Sequence, residues 1–237
     1  MQIIGIIPAR YASSRFPGKP LIDIQGKSMI QRVYEQACQA KSLDNVLVAT
    51  DDNRIFDHVQ SFGGNVVLTS NEHLTGTDRI IEVMSQVEAV AYINIQGDEP
   101  FIQPEQIDKL AAYFKTKNSN QADIATLIRS CDDMELINST NSIKVTIKQN
   151  GEALYFSRSV IPYNRNGTKI KYWKHIGMYG YTRRALQQIE TFKSGVFEQI
   201  ESLEQLRWLE NGLAIQTIET NLETVSIDVP EDLLRIK

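Results

Sequence analysis

Apolar positions along this chain follow two rhythms, and the switches between them sort it into strands and helices. Short apolar-rich runs at 3–7, 46–49, 66–68 and 91–95 are too short for helices and rich in Ile and Val, so they read as buried strands. Between them apolar residues recur every three or four positions. Met29, Ile30, Val33, Tyr34 and Ala37 predict a helix over 29–40 opened by Ser28, and another comes next over about 52–61. Ile80, Ile81, Val83, Met84 and Val87 give an apolar face to a helix opened by Thr77 or Asp78. A fourth runs over 104–114 with Pro104 in its first turn. Strand, crossover helix, strand is the signature of a mostly parallel sheet.

From about residue 123 the pattern changes. Runs at 124–129, 143–148 and 153–158 read as strands, and Asn150-Gly151 predicts a hairpin between the last two. Another strand is expected over 175–182, helices near 184–190 and 203–210, a strand over 214–219 and a short closing helix over 230–236. No repeat, linker or low-complexity tract interrupts the chain. The expected fold is one α/β domain over 1–237. Its mostly parallel, nucleotide-binding sheet is flanked by helices, with a smaller mixed α/β insertion after it.

Composition narrows the class. The 237 residues are 42% apolar and 23% charged with a net charge of −4, ordinary globular usage that excludes a disordered chain. The longest apolar runs, at 3–9 and 89–93, fall well short of the roughly 18 residues of a membrane span. The first charge is Arg10, with no basic stretch before an apolar leader, so a cytoplasmic protein without membrane association is expected. The acidic balance argues against a nucleic-acid partner, which needs a basic surface. Cys38 and Cys131 are far apart and lack a neighbouring His, so neither a disulfide framework nor a zinc site is indicated.

Two phosphate motifs fail. Gly26-Lys27-Ser28 resembles the end of a P-loop, but Leu21 stands where that loop needs glycine, and the first strand leads into no GxGxxG. It leads instead into Pro8-Ala9-Arg10-Tyr11-Ala12-Ser13-Ser14-Arg15-Phe16-Pro17-Gly18-Lys19-Pro20, with three cations among small residues and prolines. Ligands of open α/β sheets bind at the carboxyl ends of strands. Small residues there let phosphate oxygens approach backbone N–H groups while Arg and Lys neutralise charge. Asp98, in the turn Gln96-Gly97-Asp98-Glu99-Pro100, reads as a cap or turn residue and Asp228, just before Pro230, as a helix N-cap; neither role excludes binding a cation such as Mg²⁺. They converge only if the last strand returns beside the one ending at Ile95.

The run from Ile7 to Leu21 closely resembles the N-terminal signature of the 3-deoxy-manno-octulosonate cytidylyltransferase (CMP-KDO synthetase) family. The likeness continues through Val48-Ala49-Thr50-Asp51, Thr75-Gly76-Thr77-Asp78-Arg79, Asn94-Ile95-Gln96-Gly97-Asp98-Glu99-Pro100 and Ala153-Leu154-Tyr155-Phe156-Ser157-Arg158. It goes on in His175-Ile176-Gly177-Met178-Tyr179-Gly180-Tyr181, Leu203-Glu204-Gln205-Leu206-Arg207 and Asp228-Val229-Pro230-Glu231-Asp232-Leu233, so it spans essentially the whole chain. The resemblance implies a nucleotidyltransferase sheet of glycosyltransferase-A type. It implies Mg²⁺-dependent transfer of CMP from CTP to the anomeric hydroxyl of 3-deoxy-manno-octulosonate (KDO), releasing pyrophosphate, in lipopolysaccharide synthesis.

The same resemblance assigns residues. Asp98 and Asp228 would hold Mg²⁺, and Lys19 and Arg15 would stabilise the β,γ-phosphates and the leaving pyrophosphate. Ala9, Arg10, Ser14, Thr77 and Arg79 would line the cytidine side. Gln96, Arg158, His175, Tyr179, Glu204 and Gln205 would face the acidic sugar, with Arg and His suited to its carboxylate and the others to its hydroxyls. A homodimer is implied, with the sugar-binding and dimerisation subdomain within about 123–210 and the interface in its 150–210 part. By residue type alone, His175 and Arg158 read equally well as surface groups, Glu204 as a solvated helix face and Tyr179 as core.

Departures from the family pattern are few. The segment between Pro162 and His175 is short, Ser28 stands where proline is common, and Val229 where threonine is common. Three alternatives frame the expectation: the same transfer to another acidic sugar such as 8-amino-KDO or a sialic-acid-like nonulosonate, a non-catalytic nucleotide-sugar binding module, and a glycosyltransferase. The Arg10/Arg15/Lys19 loop favours a free triphosphate over the last.

Overall fold

The computed structural model describes residues 2–12, 16–223 and 225–235. The chain divides into two units, Met1–Lys115 with Thr224–Lys237, and Thr116–Glu223.

In the first unit β1 (Ile3–Ala9) is buried on both faces, as its run of isoleucines predicts. A two-residue ladder of β2 (Asp23–Ile24) and β3 (Lys27–Ser28), too short to announce itself in the hydropathy pattern, leads into α1 (Met29–Ala37). Then come β4 (Asn45–Thr50), α2 (Asn53–Ser61), β5 (Val66–Leu68), α3 (Gly76–Gln86), β6 (Ala91–Asn94) and α4 (Pro104–Thr116). The strands pair in parallel in the order β6-β1-β4-β5, as expected of β–α–β units.

Helix starts obey their caps. Ser28 Oγ accepts from Gln31 N–H at 3.2 Å, which gives the residue that replaces the common proline a local task. The helix expected to open at Thr77 or Asp78 begins one or two residues earlier. Thr75 is its N-cap, accepting from the Asp78 N–H through its hydroxyl, and the Asp78 carboxylate accepts from the Thr75 N–H, so the two form a capping box. The closing segment is a 3₁₀ helix, Pro230–Arg235, not an α-helix. Asp232 folds back to accept from the N–H groups of Asp228 (2.9 Å) and Val229 (3.1 Å).

The second unit holds β7 (Ile124–Cys131), α5 (Met134–Asn138), β8 (Lys144–Ile147), β9 (Ala153–Ser157), β10 (Tyr172–Thr182), α6 (Arg183–Ile189), α7 (Val196–Glu201), α8 (Gln205–Glu210) and β11 (Ile215–Glu219). Strand β7 pairs antiparallel with β10 and parallel with β11, which makes this half mixed as expected. The β8–β9 hairpin turns where Asn150-Gly151 predicted it, with Gly151 at φ +83°. Two short helices, α5 and α7, carry no periodicity long enough to read from sequence. β10 is longer than expected, because Tyr172–Lys174 extend its pairing along β7.

Candidate active site

In the first unit the carboxyl end of β1 opens into the cationic loop. Gly18, in the left-handed region at φ +73°, donates its N–H to the Tyr11 carbonyl at 3.0 Å and closes the loop before the single 3₁₀ turn Lys19–Leu21. The Arg54 guanidinium lies 3.3 Å over the Tyr11 ring and is held by Asp52. The turn after β6 passes so near β1 that a Cβ on Gly97 would sit 2.8 Å from the Pro8 carbonyl oxygen, which is why this position is glycine.

Lys19 links the two carboxylates. Its Nζ donates to Asp98 Oδ2 at 2.9 Å and lies 3.4 Å from Asp228 Oδ1. The Asp98 and Asp228 side chains are 30% and 41% exposed, so both reach solvent, while Lys19 is 13% exposed. The convergence is not made by the last strand, contrary to expectation, since β11 pairs with β7 in the other unit. Instead the segment before Pro230 is pinned by one backbone bond, Ile227 N–H to the Asp98 carbonyl at 2.9 Å. Ile227 is also fully buried in a small core with Ile24 and Met29. The Asp228 carboxylate faces Lys19 and the Ser226 hydroxyl, and its N–H donates to Asp232.

Around this cluster, Ala9 ends β1 and is buried. Arg10 Nη1 donates to the Leu74 carbonyl at 3.0 Å, tying the loop to the segment before α3. Thr77 is buried in the first turn of α3, and Gln96 lies just after β6. Ser14 and Arg15 lie outside the described residues. Arg79 is fully buried. Its guanidinium meets Asp51 and Thr69 Oγ1, both at 2.6 Å, and the Ser70 carbonyl at 3.3 Å. It therefore ties α3 to the ends of β4 and β5. Asp51 and Thr69 are the partners that residue-by-residue reading missed; the acid directly after a strand, in Val48-Ala49-Thr50-Asp51, was the available signal.

The second unit gathers the remaining candidates in a neutral, aromatic interior. At the β-bulge between Ile176 and Tyr179, the Thr126 hydroxyl donates to the Met178 carbonyl at 2.8 Å and stands 2.9 Å from His175 Nε2. A hydroxyl has one proton, so Nε2 carries the imidazole's and Nδ1 is left as an acceptor. Burial lowers the His175 pKa from 6.5 to about 3. His175 is thus uncharged at neutral pH, which replaces the expected cationic partner of a carboxylate with a neutral hydrogen-bonding group. Tyr179 stacks on Tyr181 at 6.0 Å and meets Trp208 edge-on at 5.0 Å. Burial, with Tyr181 and Glu204 adding to it, raises the Tyr179 phenol well above its ordinary value. Trp208 Nε1 is buried without a hydrogen-bond partner among the described residues. Gln205 is buried at the start of α8, and Glu204 accepts from Arg207 at 3.2 Å, so it is not a free solvated face. Arg158 directly follows β9 and turns to the carbonyls of Thr140, Glu201 and Ser202, not to a surface acid.

Two carboxylates that share one ammonium and reach solvent are a donor set that fits Mg²⁺, which takes one or two carboxylates with phosphate and water oxygens. No group of three or more His, Cys, Asp or Glu able to hold a metal occurs among the described residues.

A family model described as cytidylyltransferase matches residues 4–220. A relative from Cytophaga hutchinsonii named 3-deoxy-manno-octulosonate cytidylyltransferase is 51% identical over 100% of this chain and 96% of its own length. A solved structure of CMP:2-keto-3-deoxy-manno-octonic acid synthetase complexed with CTP superposes with a TM-score of 0.94 at 45% identity, covering 100% of this chain and 97% of that one. The inositol-1-phosphate CTP transferase from T. maritima shares the fold alone, with a TM-score of 0.68 at 15% identity over 97% of this chain and 90% of that one. With the family model and a half-identical relative both running along nearly its whole length, the chain belongs to the cytidylyltransferase family, in its 3-deoxy-manno-octulosonate branch.

Proposed function

We propose that this chain transfers CMP from CTP to the anomeric hydroxyl of KDO, releasing pyrophosphate, as a step of lipopolysaccharide synthesis. The observation that carries this reading is the Lys19–Asp98–Asp228 cluster beside the loop after β1, in a chain that aligns end to end with a synthetase complexed with CTP.

Asp98 and Asp228 would hold Mg²⁺, which when bound lowers the pKa of the attacking hydroxyl and offsets charge at the α-phosphate. Lys19, released from the carboxylates, neutralises the β,γ-phosphates together with Arg15, so that pyrophosphate leaves without a large electrostatic penalty. Arg10, Ala9, Ser14 and Thr77 receive the cytidine, and Arg79 keeps α3 in register with the ends of β4 and β5. On the sugar side, Arg158 takes the carboxylate. His175 Nδ1, the Tyr179 hydroxyl, Gln205, Glu204 and Gln96 take hydroxyls. Neutral groups suit that task, because a buried charge left unpaired would cost more than it contributes.

A homodimer through the 150–210 region belongs to the same reading. Val196, Phe197 and Ile200 of α7 are exposed apolar side chains that a second copy would cover, and sedimentation at micromolar concentration tests this. No helix among the described residues is long and apolar enough to cross a membrane. A cytoplasmic location, where CTP is made, completes the reading.

Incubation with CTP, Mg²⁺ and KDO should yield a new phosphodiester ³¹P resonance together with pyrophosphate. Loss of CTP to CMP or CDP without that resonance would contradict the transfer. A phosphodiester formed faster from another acidic sugar in competition would keep the chemistry and change the substrate.

A further inference from the structure

Lys144 is a lysine that the reaction as described does not use, and it is buried to 1% exposure. Burial lowers its pKa, with the Glu201 charge opposing and the Arg158 charge assisting. A buried ammonium persists only where its donors are satisfied, and all three here are. Nζ donates to the carbonyls of Ser139 (2.8 Å), Ser142 (2.5 Å) and Arg158 (2.6 Å). The first two belong to the turn between α5 and β8, and the third to the residue just after β9.

That turn is also a partner of the Arg158 side chain, whose Nη1 donates to the Thr140 carbonyl at 3.0 Å. Arg158 is therefore held to one turn twice, by its own guanidinium and through Lys144 by its carbonyl. From the other side α7 grips it: Nε donates to the Glu201 carbonyl at 2.7 Å and Nη2 to that of Ser202 at 3.4 Å. The Glu201 carboxylate accepts the Arg158 N–H at 2.9 Å and the Ser157 hydroxyl at 2.6 Å. Among the described residues these contacts use three of the five guanidinium N–H groups and leave two, in one plane, for a ligand carboxylate.

We propose that Lys144 is a positioning residue for sugar recognition: by joining the 139–142 turn to the carbonyl of Arg158, it sets where the Arg158 guanidinium meets the carboxylate of the acidic sugar. The proposal rests on the reading of Arg158 as the carboxylate-binding residue. A pre-oriented fork loses less side-chain entropy on binding than a free arginine. Without Lys144 the fork still carries its charge but no longer a single geometry.

The test is steady-state kinetics of Lys144→Met, which keeps the volume and removes the donors, alone and combined with Arg158→Ala. Lys144→Met should raise KM for KDO about 10-fold and leave KM for CTP within about twofold, a change of about 1.4 kcal/mol in sugar binding. In the Arg158→Ala background the same substitution should do nothing further to KM for KDO, because the group it positions is gone. An equal rise in both backgrounds, or a rise shared by CTP, would make Lys144 a general stabiliser and overturn the proposal. If Arg158→Ala alone raises KM for KDO while Lys144→Met does not, the proposal fails and the sugar-site reading stands. If Arg158→Ala has no effect, the reading fails and takes the proposal with it. Should Lys144→Met not fold, Lys144→Gln retains two donors and should show a smaller shift of the same kind. Failure of both variants to fold would make Lys144 a folding residue and end the assignment.

Discussion

The carboxylate cluster of the first unit and the aromatic pocket of the second hold their polar groups in opposite ways. Asp98, Asp228 and Lys19 are charged, partly solvated and matched to one another across 2.9 and 3.4 Å. His175 and Tyr179 are buried and kept neutral, the one with its pKa pushed down and the other with its pKa pushed up by the same desolvation. Under the proposed transfer, the contrast matches the ligand each would bind. A triphosphate brings several charges and a cation, so its site needs charges that can change partners. A sugar brings hydroxyls and one carboxylate, so its site needs fixed hydrogen-bonding geometry and a single oriented cation.

Breaking the charged side should cost most. Asp98→Asn and Asp228→Asn should each lower kcat by about 100-fold or more without unfolding, as loss of a metal ligand does. Near-normal turnover in either folded variant would remove the two-carboxylate site. On the sugar side the effect should appear in binding. Arg158→Ala should raise KM for KDO about 10-fold, the size of one charge-assisted hydrogen bond, with a smaller change for CTP. An effect confined to CTP would reassign the residue.

The neutral pocket makes a pH prediction with a definite sign. His175 in the folded chain has its pKa lowered to about 3 from 6.5, so between those values the unfolded chain binds the proton and the folded chain does not. Stability should be intact above 6.5 and fall as the pH drops, by about 1.4 kcal/mol per unit from this group. Denaturant titrations of the wild type and His175→Gln from pH 7.5 to 5 should show the steeper loss in the wild type; parallel slopes would mean that His175 is solvated. The smallest effect lies in scaffolding. Thr75→Ala removes one half of the capping box of α3 and should cost about 1 kcal/mol with little change in either KM.

Much of the first unit was legible because its signals are local. Buried β-branched runs, Ser28 as a cap, and a cationic loop after the first strand each act within a few residues. The pairing of Asp98 with Asp228 was legible only through resemblance. The geometry that achieves it, one backbone bond from Ile227 and a buried isoleucine, leaves no periodic trace. The second unit was harder. The protonation state of His175 depends on burial among Phe156, Tyr179 and Thr126, which no local pattern in the sequence brings together. The partners of Arg79 were likewise not legible, because nothing near it in sequence announces Asp51 and Thr69 across the strand ends.

Pyrophosphate release by the purified protein, with Mg²⁺, each of the four nucleoside triphosphates in turn, and KDO present or absent, tests the proposed transfer most directly. Release only when CTP and KDO are together is the predicted result. Release from CTP without KDO, equal release from other triphosphates, or no release from the CTP and KDO pair would contradict it.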